Sequence, residues 1–255
     1  MGADPVADAF AAARTDERLV LLEGFHPLKH ALRFGAGIVA AATEDAAGLD
    51  RLAQRLAPDL RARLAELTVE RPLAGLVARA PHTGVAAVAR RPPFAPDPLL
   101  AATAGPPVVL LEDPRQLGNV GAVVRVAAAA GAAGVVTTGR CDPWDAAALR
   151  GSAGLHFALP VGRTEGLGDR PLVVVDPGGD ELATPPEGAL LAFGTERDGV
   201  SAELLERAVA RIRIPMRAGV SSLNLATAVA IVLYSGRSAF SQRSIVQTGL
   251  MPTDS

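Results

Sequence analysis

The 255-residue chain predicts an α/β protein whose larger, carboxyl-terminal part is built on a mostly parallel sheet, behind a smaller amino-terminal region. Three observations lead there. Beyond residue 107, short and nearly continuous apolar stretches alternate with helix-patterned ones, as buried parallel strands and their crossovers do. The composition, 49% hydrophobic and 20% charged, is enough to bury a substantial core. Residues 90–107 hold six of the 20 prolines and show little periodicity, so they divide the chain as a linker would.

Taken in order, residues 1–13 read as a poorly anchored end. Leu19–Gly24 has the pattern of a strand, and a helix starts near Pro27, where a missing N–H is harmless. Residues 45–66 place Leu49, Leu52, Leu56, Leu60 and Leu64 at helical spacing. A strand at Gly84–Ala89 closes the region. Strands are then expected at Val108–Glu112, Val135–Thr138, Leu172–Asp176, Leu190–Gly194 and Arg211–Pro215. Helices are expected at Val120–Ala130, Pro143–Gly151, Ala202–Val209 and Leu225–Ser238. The organisation is a flexible start (1–13), a first domain (14–92), a linker (93–107), a second domain (108–242) and a flexible tail (243–255).

Charge points to no obvious partner. The net charge is −2, with 12 basic and 11 acidic residues in 1–95 and 13 and 16 in 96–255. A nucleic acid would have to be held by a local patch. Lys29 is the only lysine among 25 basic residues, a bias read mostly as codon usage, with phosphate recognition by Arg as the functional reading. One cysteine, Cys141, excludes an internal disulfide and a multi-cysteine zinc site. No basic segment followed by an apolar one opens the chain, and Val126–Val136 is too short to span a bilayer. A soluble cytoplasmic protein without a membrane partner is expected.

Three stretches carry chemistry. In Val108–Gly139 a strand ends in an acidic turn, and Gly118 and Gly121 open a helix that bears Arg125. Asn119 and Arg125, six apart, can face one crevice near a helix N-terminus, although an ordinary βα connection with an exposed Arg reads equally well. In Leu190–Met216 a buried strand runs into Gly194, Glu196 and Gly199 form a turn, and Ser201 caps the next helix. An acidic residue between turn glycines at a strand's carboxyl end stands where open α/β sheets bind ligands. In Gly219–Ser238, Ser222 and Asn224 precede an apolar helix, where they can cap it or reach a ligand.

Together and in this order, Gly-Asn-x-Gly-x-x-x-Arg, then F-G-x-E-x-x-G with Ile214-Pro215-Met216, then Ser222-Leu223-Asn224 resemble the three motifs of the SpoU/TrmH family of the SPOUT superfamily. Leu149–Gly154 running on to Leu159-Pro160-Val161 is similar to a further family segment. The resemblance spans residues 108–240. Leu22–Leu28 and His82–Val88 resemble the small α/β substrate-binding domain that many members carry ahead of the catalytic one.

The resemblance implies an RNA ribose 2′-O-methyltransferase acting on rRNA or tRNA, with S-adenosyl-L-methionine as cofactor. It implies a carboxyl-terminal trefoil knot that forms the cofactor site, and a homodimer with active sites at the subunit interface. By position, Gly194, Ile214, Met216 and Leu223 would surround the cofactor, largely through backbone groups. Glu196, Ser222 and Asn224 would shape the site, and Asn119 and Arg125 would face the RNA. The family casts the arginine at the place of Arg125 as general base. A guanidinium stays protonated, so the alternative is that it holds a phosphate and favours the 2′-alkoxide. No metal is expected: His26 and His30 have helical spacing but lack a third ligand. The homodimer interface is expected to include the apolar helix after Asn224. Two rivals are a non-catalytic RNA-binding protein with the same fold and a Rossmann-type nucleotide enzyme. Gly118-Asn119-Val120-Gly121 lacks the G-x-G-x-x-G spacing the latter needs.

Overall fold

The computed structural model describes residues 4–181, 184–194 and 199–235. Glu196, residues 236–238 of the last expected helix and the whole expected tail therefore lie outside the described residues.

Of the residues read as a poorly anchored end, the described ones, 4–13, are anchored. Pro5–Ala12 is a helix, α1, with Pro5 at its start and the Asp4 side chain accepting from the Ala7 N–H at 3.1 Å. Phe10, 1% exposed, packs with Leu73, Leu76, Val77 and Val88. Arg71 also reaches Asp4 at 2.9 Å. Both anchors come from residues some sixty positions on, so local sequence gives no sign of them.

Strand β1 (Leu19–Glu23), helix α2 (Phe25–Arg33), strand β2 (Ile38–Thr43), helices α3 (Ala46–Leu56) and α4 (Arg61–Leu67), and strands β3 (Thr68–Glu70) and β4 (Val85–Arg90) follow. The four strands form one sheet in the order β1-β4-β2-β3, antiparallel except for the β2–β3 pair. The helical stretch expected over 45–66 is broken at Pro58. Proline disfavours helical backbone in the residue before it, and Ala57 is pushed to φ −159° and ψ 60° ahead of a short 3-10 turn, Pro58–Leu60. Strands β2 and β3 were not foreseen. Ala-Ala-Ala-Thr has little strand pattern, and β2 holds because it is paired on both sides, by β4 and β3.

The proline-rich stretch read as a linker contains a helix, α5 (Pro96–Ala101), whose Leu100 is 3% exposed. Its anchor is Arg170, 6% exposed, which donates to the carbonyls of Leu99 (2.7 Å), Pro106 (3.2 Å) and Gly188 (2.8 Å). Beyond it come β5 (Val108–Leu111), α6 (Leu117–Ala130), β6 (Gly134–Thr137), α7 (Ala146–Ser152), β7 (Val161–Arg163), β8 (Leu172–Glu181), β9 (Leu190–Phe193), α8 (Ala202–Arg207), β10 (Ala210–Arg213) and a last helix, α9, at 225–235. The second sheet has the order β10-β8-β9-β5-β6-β7. The pairs β10–β8, β8–β9, β9–β5 and β5–β6 are all parallel, as expected. β5, β6 and β9 are buried along their whole length, which is why they read as unbroken apolar runs.

The chain divides into two compact units. The first comprises residues 1–94, 116–125 and 142–161; the second comprises 95–115, 126–141 and 162–255.

Candidate active site

Within the second unit a cavity of about 430 Å³ opens at the carboxyl ends of β9 and β10, against residues 175–177 in the middle of β8. This is the edge of a parallel sheet at which ligands are held, and the volume falls in the range of small-molecule pockets. Its walls include Phe193 at the end of β9 and Gly194 after it, Gly199 and Val200, Ile214 and Met216 after β10, and Ser222 and Leu223 ahead of α9. Gly194, Ile214, Met216, Ser222 and Leu223, all named from sequence, are thus gathered in one place.

The glycines make this wall possible. A Cβ on Gly194 would lie 2.1 Å from the Gly199 carbonyl carbon, so only glycine lets the two backbone segments touch. Gly199 has φ +69°, the left-handed region that other residues rarely adopt. Val200 is fixed from the side: Glu112 at the end of β5 accepts from the Ser201 N–H at 2.8 Å, and the Ser201 hydroxyl accepts from the Leu204 N–H at 3.3 Å as the N-cap of α8. Sequence reading missed Val175, Asp176 and Pro177, which also line the cavity. The register of β10 on β8 jumps between Arg211 and Ile212, from partner Val174 to partner Asp180, and the intervening residues bulge towards the cavity. Asp176 holds that bulge by accepting from the Gly178 N–H at 2.9 Å and pairing with Arg211. The Asp-Pro-Gly-Gly run after an apolar strand was the available signal.

Asn224 stands between lining residues, and its Oδ1 accepts from the N–H groups of Ala226 (3.0 Å) and Thr227 (3.4 Å). Of the two roles open to it in sequence, capping is the one this geometry displays. Glu196 falls outside the described residues.

Asn119 and Arg125 belong to the first unit. α6 begins at Leu117, so Asn119 is in its first turn, where its Nδ2 donates to Gln116 at 3.3 Å. Arg125 is exposed. Two glycines let α6 and α7 meet backbone to backbone: a Cβ on Gly121 would lie 2.1 Å from the Ala148 carbonyl oxygen, and one on Gly151 would lie 2.7 Å from that of Gly118. The serine of the same segment is part of a buried network. The His156 Nε2 is 2.8 Å from the Pro143 carbonyl, which can only accept, so that nitrogen carries the proton. Nδ1 is then the acceptor for the Ser152 hydroxyl at 2.7 Å. Burial, ahead of all other influences, lowers the His156 pKa to about 4 and keeps the ring neutral.

The two spaced histidines are otherwise engaged. The His30 Nδ1 donates to the Ala153 carbonyl at 2.7 Å, and the His26 Nδ1 accepts from the Lys29 ammonium at 3.3 Å. Among the described residues no group of three or more His, Cys, Asp or Glu could hold a metal, and no helix is long and apolar enough to cross a membrane.

A parallel α/β unit with a glycine-built pocket at its strand ends defines a small-molecule-binding domain. The SpoU rRNA Methylase family matches residues 106–234. A 23S rRNA (adenosine(1067)-2′-O)-methyltransferase of Streptomyces laurentii is 31% identical over 245 residues, covering 90% of this chain and 89% of that one. The AdoMet-bound rRNA methyltransferase of Sinorhizobium meliloti superposes with a TM-score of 0.70 at 26% identity, covering 92% and 95% of the two chains. A SpoU methyltransferase of Streptomyces viridochromogenes, solved with AdoMet, has the same fold at 24% identity, with a TM-score of 0.72 and coverage of 94% and 99%. The chain belongs to the SpoU rRNA methylase family.

Proposed function

We propose that the protein is an S-adenosylmethionine-dependent methyltransferase that modifies a ribose 2′-hydroxyl of rRNA or tRNA. The pocket at the carboxyl ends of β9 and β10, beside the middle of β8, carries this reading, because its walls fit the cofactor's mixed chemistry. Phe193, Val200, Ile214, Met216 and Leu223 offer apolar surface, and Asp176 and Ser222 offer polar groups. When bound, S-adenosylmethionine supplies a methyl group already activated by a sulfonium charge.

The residues of this chain have three tasks. The pocket fixes the donor and excludes water, which reduces the reaction to alignment. Ser222 belongs to its wall and Asn224 caps the start of α9, while Glu196 is assigned to the site by its motif alone. Asn119 and Arg125 act on the RNA. As a permanent cation, Arg125 holds a phosphate and favours the 2′-oxygen as it gives up its proton. The carboxyl-terminal segment from β9 to α9 forms the trefoil knot, a reading supported by the way three of its chain segments wall one pocket. Residues 14–92 serve as the substrate-binding domain and the enzyme works in the cytoplasm.

The protein acts as a homodimer whose interface includes α9. Ala226, Val229, Val232 and Leu233 fill one face of that helix, while Tyr234 remains 48% exposed on another. Light scattering at micromolar concentration reports a dimer on this reading and a monomer if it is wrong.

Calorimetric titration tests the whole. S-adenosylmethionine binds and NAD does not; NAD binding alone would restore the nucleotide-enzyme rival. Arg125→Ala leaves that affinity unchanged and lowers methyl transfer to RNA by about 100-fold or more. Transfer within a few-fold of the parent would remove Arg125 from the reaction.

A further inference from the structure

In a chain that uses arginine for 24 of its 25 basic residues, the one lysine stands at an unusual place. Lys29, on α2, is 9% exposed. Among the described residues its ammonium makes no ion pair, and its hydrogen bond runs to a neutral acceptor, the His26 Nδ1. Asp59 is near enough to favour its charge, but Asp59 is held by Arg33 through bonds of 3.0 and 2.7 Å. The other charges that act on it among the described residues, Arg33 and Arg125, are positive. Burial first, and then Arg33 and Arg125, lower the Lys29 pKa; burial, Lys29 and Arg125 do the same to His26. A covered cation among cations is costly to maintain unless an anion completes the site.

The site is also rigid. His30, one turn along α2, is bonded to the Ala153 carbonyl at 2.7 Å. A Cβ on the next residue, Gly154, would lie 2.6 Å from the Pro27 carbonyl oxygen. Gly151, three positions before it, is pressed against Gly118 and Gly121 of α6. Helix α2 is thus locked to the segment that locks the helix of Asn119 and Arg125. A compact ammonium suits such a slot, where a guanidinium fork would need several acceptors at once.

We propose that Lys29, oriented by His26 and acting beside Arg125, binds a backbone phosphate of the RNA substrate. The inference rests on the RNA methyltransferase reading and deepens it: the patch supplies the local positive charge that the net balance of the chain lacks. The contact contributes to RNA affinity and leaves cofactor binding alone, because no residue of the patch lines the cofactor pocket.

The test is Lys29→Met, in the full-length protein, with a fluorescein-labelled RNA hairpin followed by anisotropy over a range of KCl concentrations. The affinity for the hairpin falls roughly tenfold at low salt, and the slope of log K against log[salt] becomes shallower by about 1. Calorimetry gives an unchanged affinity for S-adenosylmethionine. A purely structural role would weaken binding without changing the slope. If Lys29→Met does not fold, Lys29→Gln removes the same charge and carries the comparison. A folded variant with parental affinity and slope overturns the proposal. So does loss of inorganic phosphate binding with RNA binding intact, which would assign the site to the free ion. A parent protein that shows the Lys29-dependent slope but transfers no methyl group to RNA keeps the phosphate site and sinks the enzymatic reading.

Discussion

Replacing Gly194 by alanine tests whether the pocket depends on backbone contact. The added Cβ would sit 2.1 Å from the carbonyl carbon and oxygen of Gly199 and 2.4 Å from the Val200 nitrogen. Ordinary contact requires the two segments to part by roughly 1.5 Å. Side chain flexibility cannot absorb this, because all three neighbours are backbone. Forced overpacking of this kind costs about 1–3 kcal/mol. Gly194 follows β9, which is fully buried between β8 and β5, so the strand is the stiffer partner and the Gly199–Val200 wall moves. That wall lines the cavity, and most of the penalty therefore falls on binding. At about 1.4 kcal/mol per factor of ten, the dissociation constant for S-adenosylmethionine rises roughly 10- to 100-fold. Thermal unfolding shifts down by only a few degrees, since little of the sheet is disturbed. Gly166→Ala is the control: nothing lies within 4 Å of its added Cβ, and neither quantity changes. A Gly194→Ala protein that binds the cofactor within twofold of the parent would show that the wall does not need this contact.

Two further outcomes follow from the same geometry. The His156 pKa in the folded protein, about 4, lies below its unfolded value of 6.5, so the unfolded chain binds the proton more readily; the stabilisation is complete above pH 6.5 and is lost as pH falls towards 4, an effect of about 3 kcal/mol at most. Melting curves of His156→Gln should be flatter over that window, and an unchanged pH dependence would refute the assignment. Asn224→Ala loses a cap and about 1 kcal/mol of stability, whereas Asn224→Asp keeps the accepting oxygen and its melting temperature. Methyl transfer drops in both if the Asn224 amide takes part in the site; full turnover in Asn224→Asp would leave it as a cap alone.

What the sequence disclosed depended on whether the cause was local. The strands β5, β6 and β9 announce themselves because both faces are buried, and the capping serine, Ser201, sits directly ahead of its helix. Gly194, Ile214, Met216, Ser222 and Leu223 were legible because they belong to motifs with fixed spacing. Helix α1 and the anchored α5 were not, since Phe10 and the 93–107 stretch are held by partners far along the chain, Leu73 and Arg170 among them. The bulge that brings Asp176 to the pocket comes from a register jump between strands, which no single-strand pattern reveals. Lys29 was visible only as a lone lysine. Its burial, and the absence of an ion pair among the described residues, come from tertiary packing.

The most direct test of the account is the chemical identity of the product. RNA incubated with the protein and isotopically labelled S-adenosylmethionine would be digested to nucleosides and separated by mass spectrometry. The account predicts labelled 2′-O-methyl nucleosides, lost in Arg125→Ala. Label on a base, or RNA left unlabelled by a protein that binds the cofactor, would contradict it.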